Sequence, residues 1–227
     1  MNRLLAVAAS ACALVLAVPV QAEVVKSDAG GFVTRDTAVV NATPKEVWLA
    51  LISPAKWWSS AHTWSGDSAN LSIRPQAGGC FCERIPEVPD PKKITLEGSV
   101  EHMRVIQAYP EVALRMQGAL GPLQSEPVNG VLTIAISEAE QGTRIVWEYV
   151  VGGYMRYPVD VIAPAVDGVM SQQLGGLAKL LGRIDEAPEA EADQPAAGDE
   201  GKADEGAASE EAAEPSLEEA IDAMGSG

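Results

Sequence analysis

The chain has 227 residues, 47% of them hydrophobic, and a net charge of −16 at pH 7. That length holds one ordinary domain with room for a real core, and the acidity works against nucleic acid as a partner, because phosphates attract the opposite sign. The charge is uneven: residues 185–227 carry 15 acidic groups against Lys202 alone, a net of −14, so the rest of the chain is close to neutral.

The first residues read as an export signal. Arg3 precedes a small, apolar run from Leu4 to Val18, and Val20-Gln21-Ala22 is a small-x-small cleavage pattern. The run is shorter than the roughly 20 apolar residues of a bilayer span, so residues 1–22 are expected to be removed rather than retained as an anchor. Cys12 lies inside the apolar run with Ala9, not leucine, three residues before it, which argues against lipoprotein processing. The expected location is the periplasm or the medium, with no stable membrane insertion after cleavage.

Residues 23–184 form the expected domain. Phe32 to Val40 reads as a strand. Thr43 with Glu46 three residues on is a capping box, and Pro44 occupies the first helical position, where its missing N–H costs nothing. Ser53-Pro54 repeats the device, so a second short helix is expected before Trp57 and Trp58. Asn70 to Arg74 alternates like a strand, and Gly78-Gly79 is a turn into Cys80-Phe81-Cys82-Glu83. Strand-like runs follow at 94–108, 112–117, 130–137 and 143–151, the last three with apolar residues at period two, as in Leu132, Ile134 and Ile136. After Pro158 the period becomes helical through about Leu181, with Pro164 and Gly175-Gly176 as weak points. Such a helix must bury its stripe on the apolar face of the sheet. The tail, 185–227, has no aromatic residue and cannot bury enough apolar surface to offset its ordering entropy, so it is expected to be disordered.

This order of elements resembles the helix-grip fold of the START-related superfamily, also called SRPBCC, and is close to its polyketide-cyclase-like and chaperone-ATPase-activator-like domains. The segments that carry the resemblance are Ala42 to Trp48, Gly78-Gly79, Gly118-Ala119-Leu120-Gly121-Pro122-Leu123 and Gly142-Thr143-Arg144. The resemblance spans about residues 32–183. It implies an α+β fold, with a curved antiparallel sheet of about seven strands wrapped on the long C-terminal helix and two short helices after the first strand. It also implies a cavity between sheet and helix for a small hydrophobic or aromatic molecule.

Suitable walls are Trp57, Trp58, Trp64, Phe81, Leu114, Met116, Trp147, Tyr149, Met170 and Leu174, although core packing is the commoner role for any one of them. Tryptophan seldom packs fully buried without a partner for its N–H, which favours a partly open cavity rim.

Cys80 and Cys82 share one face of a strand, about 6.5–7 Å apart if the strand is regular, near the limit for a disulfide. Free thiols facing core or pocket rank first and a strained disulfide second. A metal site of Cys80, Cys82 and His102 ranks third, because a fourth ligand and a C-x-x-C spacing are missing. No cofactor is expected. Glu83 is expected at the strand end in a surface ion pair with Arg84, and inside the fold only if Phe81 points inward. His102, between Glu101 and Arg104, is expected on the solvated face.

The favoured function is therefore a non-enzymatic binding module. The alternative is a cyclase- or dehydratase-like enzyme using Glu83 with His102 or Tyr149. A third reading, a chaperone-activator-like interaction protein, requires a cytosolic partner that an exported chain does not meet. Intact-mass analysis of the exported protein is expected to find Glu23 at the N-terminus. A chain still carrying residues 1–22 would overturn the export reading.

Overall fold

A computed structural model describes residues 23–184; the expected signal and acidic tail lie outside the described residues. The fold is α+β. In chain order it contains β1 (Glu23–Asp28), β2 (Gly31–Val40), α1 (Pro44–Leu51), β3 (Leu71–Ile73), β4 (Cys80–Ile85) and β5 (Gly98–Tyr109). Then come β6 (Ala113–Gln117), β7 (Val128–Glu138), β8 (Thr143–Gly153), α2 (Val159–Leu180) and β9 (Arg183–Ile184). The strands form one antiparallel sheet in the order β1-β2-β8-β7-β6-β5-β4-β3, with β9 added beside β2. This arrangement fits a helix grip, but with nine strands among the described residues rather than about seven.

The two additional strands lie at the ends of the domain. β1 (EVVKSD) is nearly all exposed and carries no period-two apolar signal; its pairing with β2 comes from the reversal at Ala29 to Gly31. β9 is two residues long and pairs with Val39 and Val40 where the chain leaves α2. The second short helix is also corrected: Pro54–Lys56 is a single 3₁₀ turn. Ser53 does not cap it, because its hydroxyl donates back to the Leu49 carbonyl. By contrast, Thr43 and Glu46 form the capping box in both directions, with the Thr43 N–H donating to Glu46 Oε2 at 2.8 Å. The Ile94 to Glu97 stretch lies outside β5, with Ile94 91% exposed, because its partner segment is the proline loop 86–91.

One apolar core joins the inner faces of the sheet to α2. Leu132, Ile134 and Ile136 of β7, Ile145, Trp147, Tyr149 and Val151 of β8, and Leu174, Leu177 and Ala178 of α2 are all buried in it. Each large side chain so buried contributes about 1.5–3 kcal/mol. The helix continues through Pro164, which lies on its exposed side. Gly176 is where the Trp57 carbonyl meets α2: a Cβ there would overlap that oxygen, so this glycine marks a close approach rather than a weak point. Gly78 has φ +81°, which a side chain would strain, and a Cβ on Gly79 would overlap the Arg74 carbonyl. Together they make the turn into β4.

Beneath α2 the polar fit is imperfect. Asp36 of β2 and Asp167 of α2 face each other's charge, and Asp167 Oδ1 is buried without a hydrogen-bond partner among the described residues. Burial first, then the charges of Asp36 and Glu23, push the Asp167 carboxyl above its ordinary 3.8; burial raises Asp36 likewise. Groups raised in this way favour folding as they protonate and disfavour it as pH rises. Asp167→Asn is therefore expected to raise Tm at pH 7 by about 2 °C. The gain should shrink as pH falls toward 3.8, as followed by thermal melts. A lower Tm would show that the ionised form is needed.

Candidate functional site

The site begins with an irregularity in the pairing of β4 and β5. Phe81 pairs with Met103 and Cys82 pairs with Glu101, which leaves His102 as an extra residue on β5. Strict alternation from inward-facing Met103 would send His102 outward. A bulge breaks the alternation and re-aims a side chain, and here His102 and Met103 are both buried. The expectation of a solvated outer-face histidine is corrected for this reason. The imidazole lies against Phe81 with ring centroids 5.1 Å apart. Phe81 in turn meets Trp58 at 5.2 Å and Trp58 meets Trp57 at 5.6 Å.

Phe81 does point inward, and Glu83, two residues along, follows it: Glu83 is 1% exposed. The surface ion pair with Arg84 does not form, since Arg84 reaches Glu97 instead. His102 Nε2–H donates to Glu83 Oε2 at 2.9 Å. The same oxygen accepts the Trp64 N–H at 3.0 Å, and Oε1 accepts the Ser65 N–H. Burial pushes the Glu83 carboxyl up, but the hydrogen bonds from Ser65, Trp64 and His102 outweigh it and hold the group below its ordinary 4.5. At neutral pH it is a carboxylate.

Those bonds anchor the segment from Trp57 to Asn70 to the sheet. The same segment is held to α2 from the other side. Gln173 Oε1 accepts the Ser59 N–H at 2.8 Å, and His62 Nε2 lies 2.8 Å from Gln172 Oε1. A roof is thus pinned between sheet and helix. Opposite it, Leu120 to Pro122 is held by Tyr149, whose hydroxyl accepts the Leu120 N–H at 3.2 Å and donates to the Gly118 carbonyl. Glu126 and Arg156 pair behind that wall, with Arg156 Nε–H donating to Glu126 Oε1 at 2.9 Å.

Between roof, wall and the first half of α2 lies a cavity of about 410 Å³. Its buried lining is Trp58, His102, Ile162, Val166 and Met170, and Trp64 and Leu120 stand nearer the mouth. Of the wall residues expected from sequence, Trp58, Trp64 and Met170 line it. Trp57, Phe81, Leu114, Met116, Trp147, Tyr149 and Leu174 are packed in the closed core instead. Trp57 Nε1–H donates to the Ala50 carbonyl and Trp58 Nε1–H to the His62 carbonyl, while Trp64 is 60% exposed beside the cavity. Trp147 Nε1 is buried with no hydrogen-bond partner among the described residues.

Tyr149 does not join Glu83 and His102. Its hydroxyl is spent on Leu120 and Gly118, and burial pushes its phenol well above the ordinary 10. Of the acid–base candidates, the structure brings together Glu83 and His102.

Cys80 and Cys82 are half-buried on the opposite face of β4 from Phe81 and Glu83, so they do not face the cavity. They form a disulfide, with Cα atoms 5.3 Å apart. That separation lies within the usual range and below that of a regular strand, because β4 is contracted beside the bulge. The expectation of free thiols is corrected accordingly. Bonded sulfurs are not thiolate ligands, and among the described residues no cluster of three or more His, Cys, Asp or Glu is placed to hold a metal.

Sequence reasoning missed Gln173, the polar break in the stripe Met170, Leu174, Leu177, whose buried amide had to have a partner. It also missed Ile162 and Val166 as cavity lining, because periodicity gives a helix face but not which part of that face the sheet leaves uncovered.

No protein-family model and no curated protein matches the chain. Solved structures do. A putative uncharacterized protein from Rhizobium leguminosarum is 18% identical, with 66% of this chain and 93% of that chain covered and a TM-score of 0.46. A protein of unknown function from Staphylococcus aureus is 12% identical over 66% and 93%, with a TM-score of 0.45. A protein from Rhodobacter sphaeroides is 19% identical over 71% and 98%, with a TM-score of 0.42.

Glu83→Gln keeps the shape but sets an amide NH₂ against main-chain donors. It is expected to cost about 1–3 kcal/mol of stability at pH 7 by chemical denaturation. Because the folded pKa of Glu83 is lowered, its contribution is complete above 4.5 and is lost as pH falls through the folded value. The gap between wild type and variant should therefore close in acid. A gap that does not narrow as the solution is acidified, or none at pH 7, would contradict this account.

Proposed function

We propose that residues 23–184 are an exported domain of the START/SRPBCC class that binds a small, mostly apolar or aromatic molecule between α2 and the β5 side of the sheet. The observation that carries this is the 410 Å³ cavity, whose buried walls are Trp58, Ile162, Val166 and Met170 with one oriented polar side chain, His102. Apolar walls with few placed polar groups are the usual make-up of a small-molecule site, and the volume falls in the lower part of the usual range. Among the described residues no helix is long and apolar enough to cross a membrane.

The Glu83–His102 pair favours a second reading, an enzyme. With Nε2–H given to Glu83, Nδ1 of the neutral ring holds a lone pair. It can take a proton from a ligand O–H or C–H while the electron pair stays on the ligand, and Glu83 stabilises the imidazolium that results. Return of the proton to another ligand atom would complete an isomerisation or assist a ring closure. Binding alone needs less and remains the preferred function.

The full exported chain is expected to bind the neutral dye N-phenyl-1-naphthylamine saturably, with increased fluorescence. Val166→Trp, which fills the cavity, should weaken binding at least tenfold with an unchanged circular-dichroism spectrum. Absence of saturable binding to the wild type would refute the cavity reading. For the second reading, a ligand recovered from the purified protein should be converted by wild type and not by His102→Gln.

A further inference from the structure

The cavity's polar endowment is narrow. Trp58 Nε1–H is spent on the His62 carbonyl, Trp64 Nε1–H on Gln124, and the Thr63 hydroxyl on the Ser60 carbonyl. His62, half-exposed at the rim, is tied to Gln172. Among the described residues no lysine or arginine lines the space. His102 is the exception among the buried lining side chains. Its Nε2 is engaged by Glu83, while Nδ1 has no hydrogen-bond partner among the described residues. Nor is Nδ1 sealed off: the buried, partnerless side-chain atoms among the described residues are Trp147 Nε1 and Asp167 Oδ1. With His102 in the cavity lining and Nε2 spent on Glu83, Nδ1 is the ring nitrogen left to meet a ligand.

Its hydrogen-bonding sense is set by its neighbour. Both Glu83 oxygens accept, from Trp64, Ser65 and His102, so the proton of the neutral imidazole belongs on Nε2 and the lone pair on Nδ1. A ligand atom arriving at Nδ1 meets an acceptor with a carboxylate fixed behind it. An anion there would face that carboxylate with no lining cation to offset it, whereas an ether or a bare hydrocarbon would leave the lone pair desolvated and unpaired.

Resting on the cavity reading above, we propose that His102 is the specificity-determining residue of this site. The ligand it selects is a neutral molecule with an apolar body and a hydroxyl that donates to Nδ1, in preference to a carboxylate or an ether of the same shape. Sites that hydrogen-bond a hydroxyl reject analogues lacking it more strongly than apolar walls reject a misfit, because the site's own polar group is left unpaired.

The test uses three probes of one shape, 2-naphthol, 2-methoxynaphthalene and 2-naphthoate, titrated calorimetrically into the full chain at pH 7.5. The expected order is naphthol first, tighter than the ether by about three- to tenfold, the worth of one hydrogen bond, with naphthoate weakest. In His102→Phe the naphthol advantage should fall within about twofold, with the ether binding more tightly because it no longer strands an unpaired lone pair. Since that variant removes a partner of Glu83 and can lose its fold, a second measurement needs no mutation: the ¹⁵N shift of Nδ1 in labelled wild type should move with naphthol and not with the ether. Equal binding of naphthol and ether, or naphthoate binding best, overturns the proposal and leaves the cavity reading standing. If none of the three binds, both fall.

Discussion

The site depends on one buried carboxylate. Removing Glu83 from water costs several kcal/mol, and two main-chain N–H groups and an imidazole N–H, each worth about 1.5–3 kcal/mol to a charged acceptor, offset it. In return, a segment with no regular structure longer than one 3₁₀ turn is fixed over the sheet. Glu83 thus does two things with one charge: it holds the roof at Trp64 and Ser65, and it fixes the orientation and tautomer of His102. Gln173 supplies the matching attachment to α2. The opening between sheet and helix is consequently held apart from three sides and is not free to collapse onto its apolar walls.

The bulge on β5 is the geometric counterpart of that charge. Without the extra residue, Met103 and His102 would take opposite faces, and Glu83 would be buried without its side-chain partner. With it, the chain of rings from Trp57 through Trp58 and Phe81 to His102 closes the floor of the cavity. The Cys80–Cys82 disulfide lies on the outer face of the same short stretch, where β4 is contracted. The departures from regular strand geometry in this region thus fall within a few residues of His102, which lines the cavity, and of its partner Glu83, as is common where a fold is adapted to a ligand.

Much of the framework was legible in the residues. The capping box at Thr43, the period-two runs of β6, β7 and β8, and the helical stripe after Pro158 each follow from local chemistry, and each formed. The failures have physical reasons. β1 was invisible because an edge strand with both faces wet carries no apolar alternation. The second helix shrank to a turn because Ser53 spends its hydroxyl on Leu49 rather than on a cap. The candidate walls divided into three that line the cavity and seven that pack in the core. Inward direction on a strand or helix says that a side chain is covered, not what covers it.

What the sequence determined by itself was the set of elements, their order and the apolar face of each, because capping, turn chemistry and hydrophobic period act over a few residues. Tertiary structure alone decided the site. Glu83 and His102 lie nineteen positions apart and meet only through pairing of β4 with β5, in a register whose single extra residue leaves no local trace. The charged neighbours Glu101 and Arg104 pointed His102 to solvent, and they carry no sign of the break in the ladder that turns it inward. The balance between a buried charge and the three donors that converge on it could be struck only where those segments come together.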